Sequence, residues 1–280
     1  AEGNTRHLSG TNEWKRYGRG VFVPKEARTV EVGLICQKTG WMYFDDVELV
    51  LEESAPWRET ETKYVDFYAL EDHPFPDGAI EREAEYVEAA VKKLALKLKR
   101  EDRISYYYYP SDEVFSEIRG TKIGPDHSRM IASSRELHTT KAYDDHQIIH
   151  LLLESFGRPS FGLAEGIVFY VIGSWEGGRN IHMMAKEFLL EKRLLPLYRM
   201  VSQKEMVDAG PSVSVPAWSS FCMWLIEHRG IDTFMKFYAG ADGMEAAAPL
   251  QAHFRAIYGG EFEEADQEWR LWVLRYQPKI

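Results

Sequence analysis

A pair of histidines spaced four residues apart constrains this chain more than any other feature of its sequence. His146 and His150 lie in segment 143–154, and Glu165 follows fifteen residues after His150 in an apolar segment, 162–173. If the first segment is helical, both imidazoles lie on one face, where they can reach the same metal ion. Glu165 could supply a third ligand and leave a fourth position for water, which is the arrangement of catalytic zinc sites.

The same three residues also have a purely structural interpretation. Two histidines at this spacing occur easily on an ordinary amphipathic helix as hydrogen-bonded core residues, and the helix dipole favours a glutamate near a helix N-terminus. However, burial of Glu165 in an apolar segment would cost free energy unless a cation or a hydrogen-bond donor compensated its charge. We therefore predict that His146, His150 and Glu165 bind Zn²⁺.

The composition argues against several classes of function. The chain has 280 residues, with 34 Lys or Arg against 44 Asp or Glu, and its net charge of −10 disfavours a partner bound through phosphates, such as DNA or RNA. The apolar stretch 166–173 is far shorter than the roughly 20 residues that a membrane-spanning helix needs. Only Cys36 and Cys222 are present, so no Cys-x-x-Cys pair indicates a zinc knuckle or a redox site.

The first part of the chain alternates as β-structure does. Strands are predicted over 13–17, 20–23, 29–36 and 41–51, with turn-forming segments between them. Asp45 and Asp46 could help to bind a structural calcium ion, although a solvated strand end explains them better. Trp14 and Trp41 could stack on sugar rings, but packing within a β-sandwich is the favoured interpretation.

The segments NEWKRY (12–17), VP (23–24), VGL (32–34) and GWMYFDDV (40–47) carry a resemblance. They resemble the closing strands of carbohydrate-binding-like β-sandwich (jelly-roll) modules. The resemblance implies that residues 1–53 are the C-terminal strands of such a module, and residues 53–57 are then a linker. Because a sandwich needs more strands to cover both sheets, we expect the native polypeptide to extend upstream of Ala1.

A second domain is predicted over residues 58–280, and its mixture of strands and helices indicates an α+β fold. Strands are predicted over 62–70, 103–110 and 129–139. Between them lie a long amphipathic helix, with an apolar stripe from Ile80 to Leu98 and a basic last turn at 97–100, and a short helix capped by Ser111. Further helices are predicted over 180–194, 215–229, 232–239, 246–258 and 261–276.

The strand predicted over 129–139 directly precedes the histidine segment. As an edge strand it could pair with an extended peptide through backbone hydrogen bonds, and His138 would then line the cleft. A lone histidine at such a position is more often explained by packing. The tyrosine run 106–109 could form an aromatic platform, but alternation along a strand sends successive side chains to opposite faces, which favours packing here too.

Four motifs in the second domain occur in the order found in one known family. They are DDHQIIH at 144–150, GLAEG at 162–166, SSFCMWLIE at 219–227, and FRAIYGG at 254–260 with Trp269. With these motifs residues 60–276 resemble the peptidase MA-like domain of the gluzincin zinc metallopeptidases, whose pattern is a His-Glu-x-x-His helix followed by a helix with a glutamate ligand. The resemblance implies a zincin-like fold, with a small mixed sheet and a helical C-terminal part.

Two departures from the family pattern bear on activity. Gln147 occupies the general-base position, where the family has a glutamate that accepts a proton from water, and an amide cannot accept that proton. Because the ligands remain, an introduced Glu-to-Gln substitution is favoured over gradual loss, with a natural pseudoenzyme as the alternative. In addition, the oxyanion-stabilising tyrosine of related enzymes has no counterpart in 212–220. Candidates for its role are Tyr198, His182, His138 and Ser219.

The resemblance implies a zinc-dependent peptidase that hydrolyses peptides or glycopeptides with a metal-activated water, in a form inactivated by Gln147. The alternative is a non-catalytic protein that captures a carbohydrate or glycopeptide without cleaving it. The module type implies a secreted, cell-surface or periplasmic location. Peptidase activity of the chain and of a Gln147→Glu variant would separate the two functions.

Overall fold

The computed structural model describes residues 57–278, and over this range the protein has an α+β fold. The strands are β1 (Trp57–Glu61), β2 (Val65–Leu70), β3 (Ile104–Tyr108), β4 (Ser128–Ile131) and β5 (Glu136–Thr139). The helices are α1 (Ala79–Lys93), α2 (Asp112–Arg119), α3 (Gln147–Leu153), α4 (Phe161–Ile172), α5 (Ile181–Leu190), α6 (Gln203–Asp208), α7 (Pro211–Arg229), α8 (Ile231–Gly240), α9 (Ala247–Tyr258) and α10 (Phe262–Arg275). The α+β class predicted from the sequence is confirmed.

The five strands form one mixed sheet in the order β1-β2-β3-β5-β4. The inner strands β2, β3 and β5 are parallel, and β1 and β4 pair antiparallel at the two edges. Parallel neighbours need a crossover connection, which α1 supplies between β2 and β3. Alternation along β3 sends Ile104 and Tyr106 to the main core and Tyr107 to the opposite face. Helices α1 and α3 contribute apolar residues to the main core.

The tyrosines of the run 106–109 pack into apolar clusters, as predicted. Tyr106 is fully buried in the main core, while Tyr107 and Tyr109 form a second apolar cluster with Phe115 of α2. His138 of β5 pairs in register with Tyr107 and stacks on its ring at 4.6 Å, so it is buried on this second face. Because β5 is an inner strand, the prediction that His138 lines a cleft beside an edge strand is wrong, and packing is the correct interpretation.

The predicted strand 129–139 is a hairpin rather than a single strand. β4 and β5 pair antiparallel, with Ser128 opposite Thr139 and Ile131 opposite Glu136. The chain reverses through residues 132–135, where Arg135 has a left-handed backbone conformation with φ 54°. No glycine or proline marks this turn, so the local pattern gives no sign of it. The edge strand beside α3 is therefore β4.

Helix α1 ends earlier than its apolar stripe predicts. Ala95 adopts a left-handed conformation with φ 51°, and the Leu96 N–H donates to the Val91 carbonyl at 3.0 Å, as in a Schellman motif. Glycine usually occupies the left-handed position, and an alanine there carries no stop signal in the sequence. Segment 97–100, predicted as a basic last turn, lies beyond the helix end.

The second half of the described chain is helical, as predicted, although α6 was not predicted, α5 ends four residues early and α7 begins four residues early. Helices α4 and α7 approach each other very closely at two glycines of α4. A Cβ atom on Gly162 would lie 2.6 Å from the Trp218 ring, and one on Gly166 would lie 2.4 Å from Cys222 Sγ. This packing holds α4, and with it Glu165, against the core of the helical half.

Residues 1–56 lie outside the described residues. This range includes the predicted module 1–53 with its strands, Cys36, and the calcium and sugar candidates Asp45, Asp46, Trp14 and Trp41. Trp57, which the sequence assigns to the linker, begins β1 instead. Within residues 57–278 no helix has both the length and the apolar character required to cross a bilayer.

Candidate metal centre

Helix α3 brings the two histidines together. His146 directly precedes its first residue, and a backbone bond from the Ile148 N–H to the Asp144 carbonyl, at 3.3 Å, closes the first turn. The Asp144 side chain also accepts a hydrogen bond from the Gln147 backbone N–H at 3.0 Å and thereby caps the helix. In this turn the Nε2 atoms of His146 and His150 lie 3.2 Å apart.

Helix α4 brings Glu165 to the same point. Its Oε2 atom lies 3.4 Å from His146 Nε2, and its Oε1 atom lies 3.2 Å from His150 Nε2. Across residues 57–278, this is the one group of three or more His, Cys, Asp or Glu residues that each place a ligand atom within 4.8 Å of the others. The structure thus brings together the three residues that the sequence predicts as metal ligands.

The spacing of these atoms fits a small divalent cation. A tetrahedral ion bound by nitrogen and oxygen at about 2.0–2.1 Å has neighbouring ligand atoms about 3.3 Å apart. The 3.2 Å between the two Nε2 atoms matches one edge of such a tetrahedron, and each imidazole faces its own carboxylate oxygen at 3.2 or 3.4 Å. Two imidazoles and one carboxylate are also the donor set of one class of catalytic zinc site, in which the fourth position is open.

Burial and charge favour the metal-binding forms of the side chains. The side chains of Glu165, His150 and His146 are 11, 16 and 29% exposed, so the cluster is most accessible beside His146. Burial lowers the pKa of His146, which favours the neutral imidazole that binds metals. Burial alone would raise the pKa of Glu165, but the hydrogen bond with His150 and the charges of both imidazoles outweigh it, so this pKa lies below its ordinary value.

Gln147 contacts the loop that leads into the edge strand. Its amide nitrogen donates a hydrogen bond to Asp126 Oδ2 at 3.1 Å, across 21 positions of sequence. An ionised carboxylate at position 147 could not donate this bond. Asp126 was missed by sequence reasoning, and no local signal could have found it because the two residues meet only through the tertiary fold.

Aromatic side chains flank the centre. The ring of Phe169, one helical turn after Glu165, contacts the His146 ring with centroids 5.5 Å apart. Trp175, in the loop after α4, is half-buried and contacts Phe169 with centroids 4.5 Å apart. The i, i+4 spacing from Glu165 is a signal that could have placed Phe169 here, whereas the position of Trp175 depends on the path of the loop.

The oxyanion candidates named from the sequence are not joined to the centre. Within residues 57–278 no hydrogen bond, ion pair or ring contact links any of the four to the three candidate ligands. His138 and Ser219 are fully buried, and His182 is buried beside Ser220. Tyr198 lines a shallow groove next to α6.

No family model matches the chain, and no curated protein shows significant similarity to it.

Proposed function

We propose that residues 58–280 form a zincin-like, zinc-dependent peptidase domain of the gluzincin type, inactivated by Gln147. One observation carries the proposal: His146, His150 and Glu165 converge with their ligand atoms 3.2–3.4 Å apart. These three residues would hold Zn²⁺. The convergence of two imidazole nitrogens and a carboxylate, with one ligand atom of each residue within 4.8 Å of the others, supports a metal centre over a fortuitous cluster of core residues.

The residues around the centre supply binding and orientation but no general base. Zinc, when bound, provides Lewis acidity that polarises a carbonyl group and makes a water molecule more acidic. Position 147 directly follows His146, and an amide there can orient a water molecule by hydrogen bonding without removing its proton. The amide nitrogen of Gln147 donates to Asp126, and the amide oxygen is the atom of this side chain that can accept a hydrogen bond from water.

Peptides or glycopeptides are the proposed substrates. Strand β4 lies at the edge of the sheet and contacts the start of α3 through Ser128, so an extended peptide paired with β4 would lie close to the centre. Recognition of sugar and a secreted, cell-surface or periplasmic location belong to the same proposal, and both rest on the resemblance of residues 1–53 to a carbohydrate-binding-like module.

The second candidate is a non-catalytic protein that binds a carbohydrate or glycopeptide. The hydrogen bond from Gln147 to Asp126 favours it, because the amide takes part in a contact that the catalytic glutamate could not make when ionised. In this case the metal would serve binding or structure only.

The test begins with metal content and continues with a single substitution. We expect about one zinc per chain after gentle purification. We further expect Gln147→Glu to create peptide hydrolysis that chelators abolish, because a general base typically contributes about 10²–10⁴-fold. Product formation is measured by mass spectrometry on a library of bare and glycosylated peptides, with Gln147→Ala as the control that has neither base nor amide.

The possible outcomes separate the two candidates. Zinc far below one per chain, with no thermal stabilisation by added zinc, would rule out the centre itself. Stoichiometric zinc with a Glu variant that cleaves none of the peptides bound by the Gln form would favour the binding protein.

A further inference from the structure

A buried carboxylate stands directly before the histidine helix. Asp144 is only 2% exposed, and its Oδ1 atom accepts the hydrogen bond from the Gln147 backbone N–H at 3.0 Å. Most aspartates that cap helices lie at the surface, where water solvates the second carboxylate oxygen. Here that oxygen is turned into the protein instead, so Asp144 does more than satisfy one orphan N–H group.

The second oxygen of Asp144 is bound by the sheet. Ser128 Oγ, at the start of the edge strand β4, donates a hydrogen bond to Asp144 Oδ2, and Lys141 Nζ lies 3.6 Å from the same oxygen. Ser128 Oγ also lies 2.8 Å from Thr139 Oγ1 of β5. The carboxylate thus joins β4 to the first turn of α3, and Ser128 extends the network to β5.

Helix α1 holds the same segment from another side. The Tyr86 hydroxyl donates a hydrogen bond to the Asp145 carbonyl at 2.8 Å, and the Arg82 guanidinium lies over the Tyr143 ring at 4.2 Å. Residues 143–147 are therefore fixed by both the sheet and α1. His146 lies within this segment and is the candidate ligand with the least secondary structure around it, because α3 begins at the next residue.

We propose that Asp144 is a positioning residue of the metal centre, which fixes the first turn of α3 against β4 so that His146 Nε2 meets His150 and Glu165 at ligand distance. The inference rests on the proposed metal function. Burial of a carboxylate with incomplete charge compensation is costly for stability, so a small apolar or neutral residue would serve a purely structural turn better. Partners that orient metal ligands typically affect metal affinity by about 10–100-fold when removed.

The test compares three variants with the wild type. Asp144→Ala removes both contacts, Asp144→Asn keeps an acceptor for the Gln147 N–H but loses the charge, and Ser128→Ala removes only the bond from the sheet. Zinc affinity is measured by competition with a chromophoric chelator, and the geometry of the centre by the visible absorption of the Co²⁺-substituted protein. Thermal unfolding of the metal-free protein reports any purely structural effect.

We expect zinc affinity to fall by about 10–100-fold in Asp144→Ala, by less in Asp144→Asn, and by a few-fold in Ser128→Ala. The Co²⁺ spectrum should change in Asp144→Ala. Asp144→Ala and Ser128→Ala break the same hydrogen-bond network. A variant with both substitutions should therefore lose less zinc affinity than the product of the two single losses.

A matched control comes from α10. Asp266 is 4% exposed and bonds to Arg270 one turn along its own helix, far in sequence from the centre. Asp266→Ala should lower thermal stability while leaving zinc affinity and the Co²⁺ spectrum unchanged.

Unchanged zinc affinity and an unchanged Co²⁺ spectrum in Asp144→Ala would overturn the inference and leave the metal centre intact. If that variant does not fold, unchanged affinity in Asp144→Asn and Ser128→Ala together would overturn it. A wild-type protein that binds neither Zn²⁺ nor Co²⁺ would overturn the proposed function, and this inference with it.

Discussion

At the scale of single residues, position 147 determines what the candidate centre can do. A glutamine and a glutamate fill nearly the same volume, but only the amide can donate a hydrogen bond when the carboxylate is ionised. The observed donation from Gln147 to Asp126 uses this difference. One atom therefore separates a residue that can hold water in place from one that can also remove its proton.

The buried carboxyl group of Glu83, on α1, makes the stability of the protein depend on pH. Glu83 is 2% exposed, and burial raises its pKa from 4.5 to about 7. Between these pH values the folded protein keeps a proton that the unfolded chain has released. The contribution of this group to stability is therefore fully present below the unfolded pKa and is lost as the pH rises through about 7.

We expect Glu83→Gln to be more stable than the wild type at about pH 8, by up to roughly 3 kcal/mol, and to gain little at about pH 4. The amide keeps the shape of the protonated carboxyl group and does not ionise. Urea unfolding at both pH values measures the difference. Glu85→Gln, at an exposed position of the same helix, is the control and should show no comparable gain. An equal gain at both pH values would mean that ionisation of Glu83 is not the cause.

At the scale of secondary structure elements, the contact between α4 and α7 sets the position of Glu165. Gly162 and Gly166 are one turn apart on α4, and their missing side chains allow α7 to approach. Glycine in a helix interior costs about 1 kcal/mol relative to alanine, so close packing is the compensating gain here. The position of Glu165 thus depends on two glycines, which have no side chain.

We expect Gly166→Ala to lower stability by roughly 1–3 kcal/mol, because its Cβ would lie 2.4 Å from Cys222 Sγ and overpacking outweighs the better helix propensity of alanine. Zinc affinity should fall as well if α4 shifts. Adding Cys222→Ala should restore part of the stability by removing the sulfur. Gly260→Ala, where no atom lies within 4 Å of the added Cβ, is the control.

A stability change in Gly166→Ala no larger than in Gly260→Ala would contradict the close contact between α4 and α7. Thermal unfolding of the four proteins provides the comparison.

At the scale of the whole molecule, a bound metal would connect the sheet half to the helical half. His146 directly precedes α3 and His150 lies within it, and α3 packs on the sheet, while Glu165 belongs to α4, which packs on α7. A ligand that binds only the folded state raises stability by about 4 kcal/mol at a thousand times its dissociation constant. Metal binding should therefore be visible in the unfolding of the described domain as a whole.

We expect a chelator to lower the thermal midpoint of the wild type by several degrees and to leave His150→Ala almost unaffected. Removal of one of three protein ligands should abolish tight zinc binding and produce a similar loss of stability in the absence of chelator. His228→Ala, which removes a histidine of α7 outside the centre, should keep the chelator response. Scanning calorimetry with and without chelator measures both effects. A wild type that does not respond to chelator would make the two histidines ordinary core residues.

The sequence determined what depends on neighbouring residues. The i, i+4 spacing of His146 and His150 became a shared helix face, Ser111 caps α2 by accepting from the Val114 N–H, and Gly230 and Gly259 end their helices. These features are local because a helical turn connects residues only three or four positions apart. The resemblance added the expected role of Glu165.

The tertiary structure decided what depends on distant segments. Ala95 and Arg135 adopt left-handed conformations without glycine, where no local pattern predicts a turn. Leu94 and Leu96 on either side of Ala95 are buried, and the Arg135 guanidinium donates to the Asp102 carbonyl and to Ser155. His138 lies on the second face because it pairs in register with Tyr107, and it is buried there. Asp126 and Ser128 reached Gln147 and Asp144 only when β4 packed beside α3. Contacts across 16–21 positions form only when the chain has folded, because unfolded segments have no fixed relative position.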